Sequence, residues 1–413
     1  MADKQGKNQS DLLTLNRSLI LRLTRRMRVC SRSDLARASG LTKASVSDIA
    51  RQLIDMGVLW EVGIVSGQKN RRSIGVSIKQ SSFFCVGVRL TRKNIQAGLF
   101  DIAGDPLTQT RRDIAPNAKP EDAMALIREM VGELLGQTGG RAVIGIGLAL
   151  PGPVIYDEGR IAYMSVFRGW ENIRIGDELS AAFHMPVMME HDGVCFALSE
   201  WQDMGENPGK VLLCVLAGQG IGAGMIIDGQ AMRGAFGASG ELGHTSVNPS
   251  GIRCDCGNYG CLEQYCGTLA LERMAGERLR DMPDHPLYNT KPDAAAVMRL
   301  AREGDPVFVR LFRQCARYLG YGIVNAINFI NPDVVVVTDE LAQCEDLLRE
   351  VLTETLAQRI PDRILRRIKL VVKQSGSVNA MRAATSLVVE RFLNNPPASQ
   401  NLSEGAEHEN HTA

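Results

Sequence analysis

One histidine and three cysteines stand close together in the pattern His244-x9-Cys254-x-Cys256-x4-Cys261. Imidazole nitrogen and thiolate sulfur favour zinc over calcium or magnesium, which prefer oxygen donors. Four protein ligands close a tetrahedral shell, the pattern of a structural ion; a catalytic zinc keeps one position open. Gly257 and Gly260 lie in the connecting loop, where tight turns are needed. One structural Zn2+ per chain is therefore expected, on His244, Cys254, Cys256 and Cys261.

Composition bounds the elements that must hold these ligands. At 413 residues the chain is long enough for two or three domains, and a hydrophobic fraction of 45% supplies real cores. The net charge is +1, but it is unevenly spread. Residues 1–80 carry 15 Lys or Arg and 6 Asp or Glu, a net of +9 that leaves −8 for the remainder. A basic head on an acidic body points to a polyanionic partner for the head. The seven cysteines outside the cluster are scattered, mostly in apolar runs, which suits buried thiols in a reducing compartment rather than a disulfide framework. No signal peptide is evident and no apolar run approaches a membrane span, so a cytoplasmic protein without membrane insertion is expected. Residues 396–413 are polar and aperiodic and read as a disordered tail.

In the head, Leu12, Leu15, Leu19, Ile20 and Leu23 form an apolar stripe over a helix from Ser10 to Met27. A short helix over residues 33–39, a turn at Gly40 and a third helix capped by Thr42 follow. Helix, glycine turn, helix is the helix-turn-helix pattern. Its second helix offers Lys43, Ser45, Ser47 and Arg51 as donors to base edges and phosphates. Two alternating runs around a basic loop then predict a hairpin wing, with Lys69, Arg71 and Arg72 directed at backbone phosphate or the minor groove. Residues 1–80 thus read as a winged helix-turn-helix domain.

Residues 81–395 alternate strands and helices in two related halves: strands near 84–90, 95–101 and 143–149, then strands near 211–216, 334–337 and 370–372. A Gly-rich stretch spans Gly218–Gly224, and a long helix is expected over about 306–330. The histidine–cysteine spacing with its flanking glycines resembles the ROK family of repressors, open reading frames and sugar kinases, and the resemblance runs over nearly the whole chain. It implies a two-lobed, actin-like and ribonuclease H-like sugar kinase-type body in an α/β chain, with a cleft between the lobes.

The resemblance also says where chemistry would sit. The kinases hold ATP with an Asp-x-Gly-Gly-Thr loop at the first hairpin; here Arg89 stands for the acidic residue and Thr91 and Arg92 for the glycines. The Gly-rich stretch survives, but the Gly-Gly near the adenosine has become Asp339-Glu340, and Arg382 replaces a small residue before Ala383-Ala384. Asp192, in Glu190-His191-Asp192-Gly193, keeps the position of the catalytic base as a vestige, so no catalytic residue is assigned. The sugar contacts map onto Gly152, His191, Asp192, Glu241, His244 and Glu263. His191 replaces the usual Asn, and Val166 another Asn, which argues against plain glucose or N-acetylglucosamine. A modified sugar, a sugar phosphate helped by Arg89 or Arg168, or no small molecule at all remain open.

The resulting expectation is a DNA-binding transcriptional regulator, a repressor by family habit, acting on sugar uptake or catabolism genes. Its partners would be a near-palindromic double-stranded operator, a sugar-like effector and further copies of itself, as a homodimer or homotetramer. Effector binding is expected to close the lobes and move the heads out of register. The alternatives are an ATP-dependent sugar kinase with an accessory head, and a regulator controlled by a protein partner.

Overall fold

The computed structural model describes residues 9–66, 72–115, 118–162, 169–170, 173–204 and 209–394. The chain opens with α1 (Gln9–Met27), β1 (Val29–Ser31), α2 (Arg32–Ser39) and α3 (Lys43–Asp55), then the antiparallel pair β2 (Leu59–Ser66) and β3 (Arg72–Ile78). Ser31 and Asp34 cap α2 reciprocally, each side chain accepting the other's backbone N–H, and Thr42 caps α3 through the Ser45 N–H. Strand β1, not expected from the sequence, pairs with β3, so the sheet order is β1-β3-β2. Only the second half of the expected α1 stripe is covered: Ile20 and Leu23 are buried and Leu19 is half-buried, while Leu12 and Leu15 are nearly half exposed.

Two five-stranded sheets of one plan follow. The first comprises β4 (Phe83–Leu90), β5 (Asn94–Asp101), β6 (Pro106–Asp113), β7 (Ala142–Leu150) and β10 (Val187–His191). Between them run α4 (Pro120–Gly136), the small pair β8 (Val154–Ile155) and β9 (Arg160–Ile161), and α5 (Ile175–Phe183). Helix α6 (Asp192–Asp203) leads to the second sheet: β11 (Val211–Ala217), β12 (Ile221–Ile227), β13 (Gln230–Ala231), β14 (Val334–Thr338) and β15 (Lys369–Val372). The helices α7 (Glu263–Cys266), α8 (Thr268–Arg280), α9 (Ala294–Arg302), α10 (Pro306–Ile330), α11 (Glu345–Arg359), α12 (Asp362–Leu365) and α13 (Ser377–Asn394) complete the chain. Each sheet is an antiparallel three-strand meander extended by two parallel strands, in the orders β10-β7-β4-β5-β6 and β13-β12-β11-β14-β15. The expected Gly-rich loop is shorter than its glycines suggest, because Gly222 and Gly224 lie inside β12.

Helices α6 and α13 form a layer between the sheets, around Ala149, Phe196, Leu212, Val336, Ala380 and Ala384. The layer is thin because side chains are missing where it touches the strands. A Cβ on Gly147 of β7 would lie 2.4 Å from the Ala384 carbonyl, and one on Gly224 of β12 would lie 2.0 Å from the Gly193 oxygen. The last turns of α13, with Val388, Val389 and Phe392, share one apolar cluster with Ile20, Leu35 and Leu53 of the N-terminal helices. Arg25 of α1 reaches the same junction, where burial and then the nearby Arg382 lower its pKa while Asp105, Asp101 and Asp203 oppose them. Among the described residues no helix is long and apolar enough to cross a membrane.

Gly147→Ala should cost about 3 kcal/mol or more, because the obstruction is backbone and cannot rotate away. Gly132→Ala, on the exposed face of α4 with open space around it, should instead stabilise by up to about 1 kcal/mol. Urea unfolding midpoints of the two variants check the contrast.

Candidate functional site

The candidate metal centre is assembled by short-range hydrogen bonding. A 3-10 turn, Leu242–His244, delivers His244. The Cys254 N–H donates to the Asn258 carbonyl at 2.8 Å and the Gly257 N–H to the Cys254 carbonyl at 3.0 Å, which turns Cys256 back toward Cys254. Gly260 takes a φ of +68°, and a Cβ there would lie 1.6 Å from the Asn248 oxygen, so only glycine fits. The four ligand atoms lie within 4.8 Å of one another. Cys256 Sγ is 3.7 Å from Cys261 Sγ, and Cys254 Sγ is 3.7 Å from His244 Nδ1. A tetrahedron with metal–sulfur bonds of ~2.3 Å has edges of roughly 3.8 Å, so the cluster is already spaced to hold one ion. Burial raises the Cys254 thiol to about 12, so a thiolate there needs a cation beside it.

Next to this centre a cleft of about 490 Å3 opens between the lobes. All of the expected effector residues, Gly152, His191, Asp192, Glu241, His244 and Glu263, line it. His191 ends β10 and Asp192 begins α6, so the strand–helix junction presents both to the cleft. His244 turns Nδ1 toward the sulfurs and places Nε2 3.7 Å from Glu241. Burial raises the pKa of Glu241, partly offset by His191 and His244. Glu263 also looks both ways: Oε1 is 3.4 Å from Cys254 Sγ, and Oε2 is 3.6 Å from Arg92.

The β4–β5 hairpin crosses the same cleft. The Arg89 guanidinium donates to Asp192 at 3.3 Å and to Asp339 at 3.0 Å, and it stacks 4.8 Å over the Phe196 ring. Thr91 closes the hairpin turn, donating to the Asn94 carbonyl and accepting from the Lys93 and Asn94 amides. Glu340 accepts from Thr268 at 3.0 Å, and burial raises its pKa.

Sequence reasoning missed the support beneath His191 and Asp192. Glu190 is fully buried and accepts from the Tyr156 hydroxyl, from Arg233 Nε at 2.8 Å and from the His191 N–H at 3.0 Å. Burial and then the Glu190 charge raise the pKa of Tyr156, which keeps it a donor. Residues 156, 190 and 233 come from three separate segments, so no local pattern announced them. Asp339 takes φ +78°, ψ −152°, a region almost reserved for glycine.

The described residues among the expected DNA contacts lie on the N-terminal head, and none of them lines the cleft. Lys43 is exposed at the start of α3. The Ser45 hydroxyl is drawn into the cap, 2.8 Å from Thr42 Oγ1, and Ser47 is half-buried. Arg51 is exposed and pairs with Asp48 at 2.9 Å. Arg72 begins β3; Lys69, Arg71, Val166, Arg168 and the tail 396–413 lie outside the described residues.

Residues 85–391 match the ROK family. The DNA-binding transcriptional dual regulator NagC of Escherichia coli K12 is 30% identical over 335 residues, 81% of this chain and 82% of that protein. A crystal structure of a ROK family transcriptional regulator, a homolog of the E. coli MLC protein, overlays with a TM-score of 0.78 at 25% identity, covering 93% of this chain and 98% of that one. A ROK family glucokinase from Streptomyces griseus, solved with glucose and AMPPNP, overlays with a TM-score of 0.67 at 24% identity, covering 74% of this chain and 98% of that one.

The purified protein should carry one tightly held metal ion per chain, and Cys261→Ser should lose it. Elemental analysis by mass spectrometry decides; a full complement of metal in Cys261→Ser would move the ion elsewhere.

Proposed function

The chain belongs to the ROK family, and from that premise we propose that it is a DNA-binding transcriptional regulator, a repressor of sugar uptake or catabolism genes that answers to a sugar or sugar derivative. The observation that carries this reading is the N-terminal head. The likeness to a ROK transcriptional regulator spans 93% of the chain, whereas the glucokinase likeness spans 74%. A capped helix–turn–helix followed by a hairpin, on a segment of net charge +9, supports residues 1–80 as a winged helix-turn-helix domain.

On this reading Lys43, Ser47 and Arg51 of α3 face the major groove. Arg51 would exchange Asp48 for the DNA. Ser45, whose hydroxyl serves the cap, would contribute through the helix N-terminus it secures. Lys69, Arg71 and Arg72 of the wing would hold phosphate or the minor groove. Residues 81–395 would sense the effector and join copies of the chain, so that two heads meet a near-palindromic operator.

Gly152, His191, Asp192, Glu241, His244 and Glu263 would recognise sugar hydroxyls. The metal would be a structural zinc on His244, Cys254, Cys256 and Cys261, setting the ring plane of His244 and the position of Glu263. Arg89, Arg92 and the Asp339-Glu340 pair fill the part of the cleft where a kinase needs close backbone approach to phosphate, which argues against phosphoryl transfer. Coupling between cleft and head has a physical route. Ser375 and Gly376 line the cleft just before α13, and the far end of α13 lies in the apolar cluster of α1.

Genomic fragments selected by the purified metal-loaded protein at physiological salt should contain near-palindromic sites beside sugar transport or catabolic genes. Binding that is merely salt-sensitive, without sequence preference, would contradict the reading. Lys43→Ala and Arg51→Ala should each weaken binding to a recovered site by about 1–3 kcal/mol, as measured by fluorescence anisotropy.

A further inference from the structure

We propose that the β4–β5 hairpin is an internal strap: Arg89, reinforced by Arg92 and Lys93, ties the two lobes together across the cleft, and a ligand that takes Glu263 competes with one of its ties. Three cations on one hairpin of the first lobe reach three carboxylates of the second. Arg89 meets Asp339 after β14 at 3.0 Å, Arg92 meets Glu263 at the start of α7 at 3.6 Å, and Lys93 meets Glu272 of α8 at 3.4 Å. Arg89 also holds Asp192 of its own lobe at 3.3 Å, so a single guanidinium gathers two carboxylates.

The first of these contacts is the shortest, and it is buried. The side chains of Arg89, Asp192 and Asp339 are 6%, 14% and 18% exposed, so solvent screens them weakly. Burial alone would lower the pKa of Arg89, but Asp339 and Asp192 more than reverse it, and the net direction is up. The Lys93–Glu272 pair is more exposed and contributes correspondingly little.

The backbone supplies an independent observation. Asp339 occupies a conformation that costs a non-glycine residue free energy and persists only where the surroundings over-determine it. Those surroundings are the Arg89 ion pair and the space left by Gly218, whose Cβ would lie 2.9 Å from Asp339 Oδ2. The carboxylate is thus held at the cleft against its own backbone preference, which is what a contact selected for position looks like.

A consequence follows for the direction of the switch. A sugar hydroxyl that hydrogen-bonds Glu263 competes with the Arg92 guanidinium, which reaches it from the other lobe. Ligand binding therefore loosens a bridged cleft instead of closing an open one, reversing the direction expected from the sequence. The strap stands whether or not the head binds an operator, because its residues and its readout lie in the body.

Hydrogen exchange on the full-length, metal-loaded protein tests it, with Asp339→Gly and Arg89→Ala compared with the unaltered chain. Asp339→Gly removes the strap's anchor while relaxing the backbone, so it should fold. Amides of the hairpin, residues 90–94, and of the segment 339–344 should exchange about tenfold faster in both variants, the change that ~1.4 kcal/mol of lost protection produces, while the amides of α10 stay as they were. Millimolar guanidinium chloride should restore protection in Arg89→Ala and leave Asp339→Gly unchanged. Unaltered exchange at both segments in a folded Asp339→Gly protein would overturn the strap. So would an equal acceleration in α10, which would make Arg89 a general stabiliser of the fold.

Discussion

A buried arginine between two aspartates is the constraint from which the cleft is best understood. Arg89 cannot shed its charge, and in a dry setting it must be paired. Asp192 and Asp339 supply the pairs from opposite lobes. Once that arrangement is fixed, much of the surrounding design has a reason: Gly218 must stay small, Asp339 must accept a strained backbone, and Phe196 is placed to cover the guanidinium face. The same arrangement occupies Asp192 with a cation.

Two supports hold this cleft from outside. On one side the histidine–cysteine cluster gathers His244 and, through Glu263, touches the hairpin that carries Arg92. On the other, Glu190 ties Tyr156 and Arg233 to the peptide before His191. Beneath both, α6 and α13 lie close enough to the strands that glycine is required at Gly147 and Gly224. Small movements in such a layer cannot be absorbed by soft side chains, because its contacts are backbone on backbone.

Much of this was legible in the residues. That His244, Cys254, Cys256 and Cys261 would come together was evident from donor type and spacing alone, and the helices of the head from apolar periodicity and the Thr42 cap. The duplicated sheet plan followed from the alternation of apolar runs. Short features were not legible: β1 has three residues, and its pairing with β3 is tertiary. The Gly-rich stretch looked like a loop because glycine marks both turns and close approaches, and only the packing of α6 on β12 tells them apart. Arg89 and Asp339 were each visible as departures from a pattern. That they belong to one another, across 250 positions of sequence, was not. The Glu190 network was hidden for the same reason.

Titration calorimetry of the full-length, metal-loaded protein with Mg·ATP, in the presence and absence of a sugar panel, tests the central claim most directly. If Arg89, Arg92 and the Asp339-Glu340 pair leave no room for a nucleotide, no saturable nucleotide binding and no phosphorylated sugar should be found. Saturable ATP binding accompanied by phosphoryl transfer to a sugar would mean that Arg89 swings out of the way and that the cleft is still a kinase.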